Sequence, residues 1–218
     1  MHGYLADSNS FYNQLEYFGR NFDVFAPDFK GFGKNKGMEY AYSLDDYILD
    51  LKEYAYKHGL KNPHVIAHSF GARVAVKCAA NDKDFFDKIV LTGAAGLKPK
   101  LSLIKRVKKG AFSVLKKFVK KERLKAFYSK DYLALDPVMK ESFVKIVNEH
   151  LDGLLGDIVN ETLIIYGSGD KDTPPYMAKR FHSGINGSKL IFIEGAGHFA
   201  FIDKPHKFNT EVKEFLLS

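Results

Sequence analysis

The sequence predicts an α/β fold: a mostly parallel sheet flanked by helices, with a helical segment inserted. Three observations lead there. Short apolar runs alternate with helix-like segments, as in Ile89-Val90-Leu91-Thr92 and Leu163-Ile164-Ile165-Tyr166. Those runs are apolar throughout rather than alternating, the pattern of strands covered on both faces. Between those two runs lie about sixty residues with no strand signal.

In chain order, Phe22-Asp23-Val24-Phe25-Ala26-Pro27 reads as the first strand, ending in the loop Asp28-Phe29-Lys30-Gly31-Phe32-Gly33. Ser43 is placed as an N-cap for a helix over 44–58, with Tyr47, Ile48, Leu51 and Tyr54 at helical spacing. A strand over 63–68 runs into a helix over 70–80. Strands follow at 89–92, 163–166 and 190–193, with helices over 175–184 and 205–217. In the insertion, Leu103, Ile104, Val107, Ala111, Val114, Leu115 and Phe118 share one helical face, with Gly110 as a kink, and a second helical stretch spans 137–150. The division is a core of 1–96 and 160–218 with a helical cap over 97–159.

Bulk properties narrow the function classes. At 218 residues the chain suffices for one domain with a proper core, and no apolar run is long enough to span a bilayer. Cys78, the single cysteine, cannot form an internal disulfide; with no signal-type segment at Met1-His2-Gly3, this reads as a cytoplasmic protein. The net charge of +7 is concentrated: residues 97–125 hold twelve Lys or Arg against one Glu, a balance of +11, so the remainder carries −4. One basic segment on a slightly acidic body does not argue for a nucleic-acid partner. It reads first as a lid whose lysines are solvated; steering of anionic substrates and contact with an anionic membrane are its alternatives.

The chemistry starts at Ala67-His68-Ser69-Phe70-Gly71, where a buried strand meets a small-residue helix. A serine held on such a sharp turn projects its hydroxyl clear of the backbone at the positive end of a helix dipole. The pattern is A-x-S-x-G, and small size is what its first position requires. Asp170 follows the fourth strand in Gly167-Ser168-Gly169-Asp170, with Pro174 four residues on. His198 follows the fifth in Gly195-Ala196-Gly197-His198. Ligands bind at the carboxyl ends of strands in open parallel sheets, where all three residues sit. Their order, Ser then Asp then His, suits a nucleophile elbow. Asp172 competes with Asp170 as the acid, and Asp170 is favoured by its spacing from Gly167. His68 reads as a packed or hydrogen-bonded structural residue, and Asp28 as a brace for its own glycine-rich loop. His58, His64, His150, His182 and His206 show no cluster spacing, so no metal site is expected. Nothing resembles a phosphate-cradling loop, and no cofactor is called for.

On these residues the chain resembles the α/β-hydrolase superfamily, in particular its capped members: esterases, carbon–carbon bond hydrolases and proline iminopeptidases. His2-Gly3 matches the oxyanion loop, and residues 28–33 match the D-x-x-G-x-G loop. The resemblance implies a serine hydrolase acting on a small-molecule carboxylic ester through Ser69, Asp170 and His198. Thioesters, amides and carbon–carbon bonds remain open. The backbone N–H groups of Phe70 and Tyr4 are the implied oxyanion donors. In that superfamily strands precede the His-Gly loop, and one of them lies between those at 22–27 and 63–68. Here only Met1 precedes His2, so the fold is expected to lack its N-terminal strands, as in a truncated chain or one started at an internal methionine. Tyr4 is then expected in a poorly anchored terminus. The corresponding alternative function is a catalytically incompetent or ligand-binding remnant that keeps the triad residues.

Overall fold

The computed structural model describes residues 1–100 and 130–218. Its centre is a four-stranded parallel sheet in the order β1-β2-β3-β4. The strands are β1 (Val65–His68), β2 (Ile89–Thr92), β3 (Thr162–Gly167) and β4 (Lys189–Ile193). Val65 pairs with Ile89, Ile89 with Thr162, and Leu163 with Lys189, so residues in register share a face. β2 and β3 are buried at every position, as their unbroken apolar runs require.

Alternation along the strands makes two cores. Val65, Ala67, Ile89, Leu91, Ile164 and Tyr166 pack under α2 (Leu44–Lys57), α3 (Phe70–Asn81) and α6 (Pro175–Gly184). Val90, Leu163, Ile165 and Ile193 pack on the other face, against α1 (Tyr12–Phe18), α7 (Ala200–Asp203) and α8 (Pro205–Leu217). α2 starts where its sequence says. The Ser43 side chain accepts from the Asp46 N–H while the Asp46 carboxylate accepts from the Ser43 N–H, a reciprocal capping box. The inserted region contributes α4 (Lys130–Ala134), α5 (Pro137–Asn148) and a 3-10 turn over Asp152–Asp157. The apolar stripe expected between Leu103 and Phe118 lies outside the described residues.

One element is corrected. Residues 22–27 form no strand, although their pattern predicts one. A strand exists only with a hydrogen-bonded neighbour, and none lies beside this segment: β1 is an edge, and no strand precedes it among the described residues. A cavity of about 530 Å³ separates residues 23–27 from Val65 and Ile66.

Candidate active site

Ser69 sits between β1 and α3 with φ 49° and ψ −105°, a left-handed conformation that a non-glycine residue adopts only under constraint. The turn is held from several sides. The Ser69 N–H donates to Thr92 O at 3.1 Å, and the Ala95 N–H donates to Ser69 O at 3.2 Å. Gly71 has no freedom to be anything larger: a Cβ there would lie 2.7 Å from the carbonyl oxygens of both Met1 and His2.

That close approach docks the His2-Gly3 loop on the elbow. The Gly71 N–H donates to His2 O, the His68 N–H to Met1 O, and the Met1 nitrogen to Ile66 O. His2 is buried; its Nδ1–H donates to Gly3 O at 2.8 Å, and its Nε2 accepts from the Phe29 N–H at 2.9 Å. Burial lowers its pKa. The poorly anchored terminus expected for Tyr4 is therefore corrected, because backbone pairing to β1 and α3 fixes the segment. The Tyr4 hydroxyl donates to Met139 O on α5 at 3.2 Å, and its ring packs edge-on against Phe70 at 5.7 Å. The Tyr4 N–H makes no hydrogen bond among the described residues. Phe70 is the first residue of α3, so its N–H has no partner within the helix.

His198 and Asp170 meet across the ends of β3 and β4. The imidazole Nδ1–H donates to Asp170 Oδ2 at 2.9 Å. Asp170 is buried and saturated with donors. Its Oδ1 accepts from the N–H groups of Asp172 and Thr173, and its Oδ2 also accepts from the Thr173 hydroxyl at 2.7 Å. Burial pushes the carboxyl pKa up, but the bonds from His198 and Thr173 outweigh it and hold it below the usual aspartate value. Asp172 is exposed and gives this cluster only its backbone N–H.

Two further residues hold the imidazole. Gly93 has φ +50°, and a Cβ on it would lie 2.9 Å from His198 O and 3.0 Å from His198 Nδ1. The His68 Nε2–H donates to His198 O at 3.2 Å, with the two rings 4.6 Å apart. His68 is thus the packed, hydrogen-bonded residue its sequence context suggested. Burial lowers its pKa to about 3. No hydrogen bond joins Ser69 Oγ to the His198 ring in this structure; such contacts tighten in the substrate complex in many enzymes.

Sequence reasoning missed Thr173 and Gly93. For Thr173 the available signal was a hydroxyl three residues beyond the acid; for Gly93, a glycine directly after a buried strand. Asp28 does brace its loop, accepting from the Lys34 N–H at 2.8 Å, and it also binds the Ser8 N–H at 2.7 Å. Ligand atoms of Asp170, Asp172 and His198 lie within 4.8 Å of one another, close enough for one cation. Yet the Asp170 oxygens already accept four hydrogen bonds, which a metal would have to displace. This donor set fits an orienting acid better than a metal ligand.

Fold and site together define a class: an α/β enzyme fold whose strand ends carry a strained serine, a histidine and a buried aspartate. Residues 1–211 match the alpha/beta hydrolase family, and the chain belongs to it. It is similar to an uncharacterized hydrolase, YugF, of Bacillus subtilis, at 21% identity over 243 residues, covering 99% of this chain and 88% of that protein. Among solved structures, an esterase from Exiguobacterium antarcticum superposes with a TM-score of 0.79 at 24% identity, covering 100% of this chain and 90% of the other. A meta-cleavage product hydrolase from Pseudomonas fluorescens superposes at 0.73 and 22% identity, over 97% and 85% of the two chains. The chain is a hydrolase by family.

Proposed function

We propose that the chain is a serine hydrolase that cleaves a small-molecule carboxylic ester through an acyl-enzyme. The observation that carries this reading is the Asp170–His198 pair at 2.9 Å, with a serine held at φ 49° directly after β1 of the same parallel sheet. His198 takes the Ser69 proton as Oγ attacks the acyl carbon, then delivers it to the leaving alcohol. Asp170 keeps Nδ1 protonated and stabilises the imidazolium. The N–H groups of Phe70 and Tyr4 receive the oxyanion; loss of one such donor costs about 10²–10³ in rate. Water then repeats the cycle on the acyl-enzyme. Residues 97–159 serve as the cap, and α5 supports this role because Met139 O accepts from the Tyr4 hydroxyl above the oxyanion loop.

The esterase among the structural neighbours agrees with ester chemistry. Labelling with a fluorophosphonate probe tests the nucleophile: the wild-type chain is labelled, Ser69→Ala is not, and para-nitrophenyl acyl ester hydrolysis falls by at least 10³ in that variant. A folded wild-type chain that resists the probe sinks the reading and leaves the ligand-binding alternative.

A further inference from the structure

The loop that carries His198 has almost no side chains of its own. Gly195-Ala196-Gly197 leads from the end of β4 to the imidazole, and Gly195 has φ +71°. Glycines at both ends of so short a segment leave its backbone free to take many paths. Its actual path is therefore set by neighbours, and the hydrogen bonds that set it can be followed residue by residue.

Most come from the loop that bears the acid. Ser168 Oγ accepts from the Gly195 N–H at 3.1 Å, and the Gly169 N–H donates to Ala196 O at 2.9 Å. Gly167 is pressed against the same backbone, where a Cβ would collide with the carbonyl oxygens of Ala196 and Gly197. The Gly197 N–H, directly ahead of His198, is held from elsewhere: it donates to Asp203 Oδ2 at 2.7 Å. Asp203 is the last residue of α7, and its own N–H donates to Phe199 O at 2.9 Å. One short helix thus turns the chain back so that an exposed carboxylate caps the amide beside the imidazole. Such charge-assisted bonds are shorter and stronger than neutral ones.

We propose that Asp203 is a positioning residue for His198. By holding the Gly197 N–H it closes the grip that Ser168 and Gly169 begin, and so sets where the imidazole stands relative to Asp170 and Ser69. It acts only through the backbone and touches no reacting atom. Its effect on turnover rests on the reading of His198 as the base of an ester hydrolase; its effect on the Asp170–His198 pair does not.

Two measurements on the full chain test this. The His198 Nδ1–H, bonded to Asp170, gives a far-downfield proton NMR signal whether or not the chain hydrolyses esters, identified by its absence from His198→Gln. Asp203→Ala and Asp203→Ser, neither of which reaches Gly197, are expected to broaden that signal beyond detection. Asp203→Asn keeps an acceptor oxygen without the charge and is expected to retain it. In para-nitrophenyl acyl ester hydrolysis the Ala and Ser variants are expected to lose about tenfold in kcat with KM little changed, and the Asn variant to recover most of it. A merely structural role lowers the urea midpoint but moves neither the signal nor kcat of the folded protein. A signal missing from the wild type, or unchanged in Asp203→Ala, overturns the proposal. So does an equal loss in Asp203→Asn, which assigns the effect to charge rather than to the bond. A wild type that gives the signal yet hydrolyses no ester overturns the ester reading alone, and loss of the signal in Asp203→Ala then still supports the positioning role.

Discussion

At the scale of single residues, the acid of the candidate triad is positioned by a neighbour the spacing rules do not mention. Thr173 donates to the same Asp170 oxygen that holds His198, and its Oγ1 lies 3.2 Å from His198 Nδ1. It therefore fixes which carboxylate oxygen faces the imidazole. A hydrogen bond to a charged group contributes about 1.5–3 kcal/mol, enough to matter for orientation by roughly a factor of ten in rate. Thr173→Val is expected to lower kcat of ester hydrolysis about tenfold with KM little changed, and Thr173→Ser to restore most of it. Equal kcat in Thr173→Val and wild type would show that the hydroxyl orients nothing. Gly93 constrains the same ring from the other side. Gly93→Ala combines a strained φ with a Cβ against His198, so stability falls by about 1–3 kcal/mol and activity falls further than stability alone explains.

At the scale of elements, much of the fold was legible because local chemistry dictated it. Ser43 and Asp46 announce the start of α2, and the unbroken apolar runs announce β2 and β3. The elbow was legible for the same reason, since small residues around Ser69 have only one steric purpose. The segment 22–27 was not legible, because a strand pattern records a side-chain environment and cannot say whether a neighbour is there to pair. The docking of α5 was equally hidden. It depends on Arg73 of α3, a buried guanidinium that donates to Ile146 O at 2.8 Å and Glu149 O at 2.9 Å. Burial lowers its pKa to about 10, which still leaves it charged at neutral pH. Those carbonyls close the C-terminal end of α5, where no intrahelical donor exists. Arg73→Met keeps the apolar stem but strands both carbonyls. It is expected to cost about 2–3 kcal/mol in urea unfolding, with α5 gaining the largest increase in hydrogen exchange.

At the scale of the whole molecule, two buried histidines make folding depend on pH. His2 can accept from the Phe29 N–H only while its Nε2 is unprotonated, and His68 is enclosed beside His198 with its Nδ1 unpartnered. Burial lowers both pKa values, that of His68 to about 3. The unfolded chain titrates these groups near 6.5, so below that pH it binds protons that the folded chain does not. The contribution of these two histidines is thus fully present above about pH 6.5 and is lost as pH falls, at about 1.4 kcal/mol per pH unit for each histidine that stays neutral. For His68 alone the loss between pH 6.5 and 5 is about 2 kcal/mol, and His2 adds to it in the same direction. Urea midpoints measured from pH 7.5 to 5.0 are expected to fall steadily below pH 6.5, before the carboxylates titrate. His68→Gln removes one of the two groups and should make the dependence visibly shallower, whatever it does to the midpoint at pH 7.5. A midpoint that stays flat down to pH 5 would mean that His2 and His68 accept protons in the folded chain, and so that the elbow and the His2-Gly3 loop are open to water.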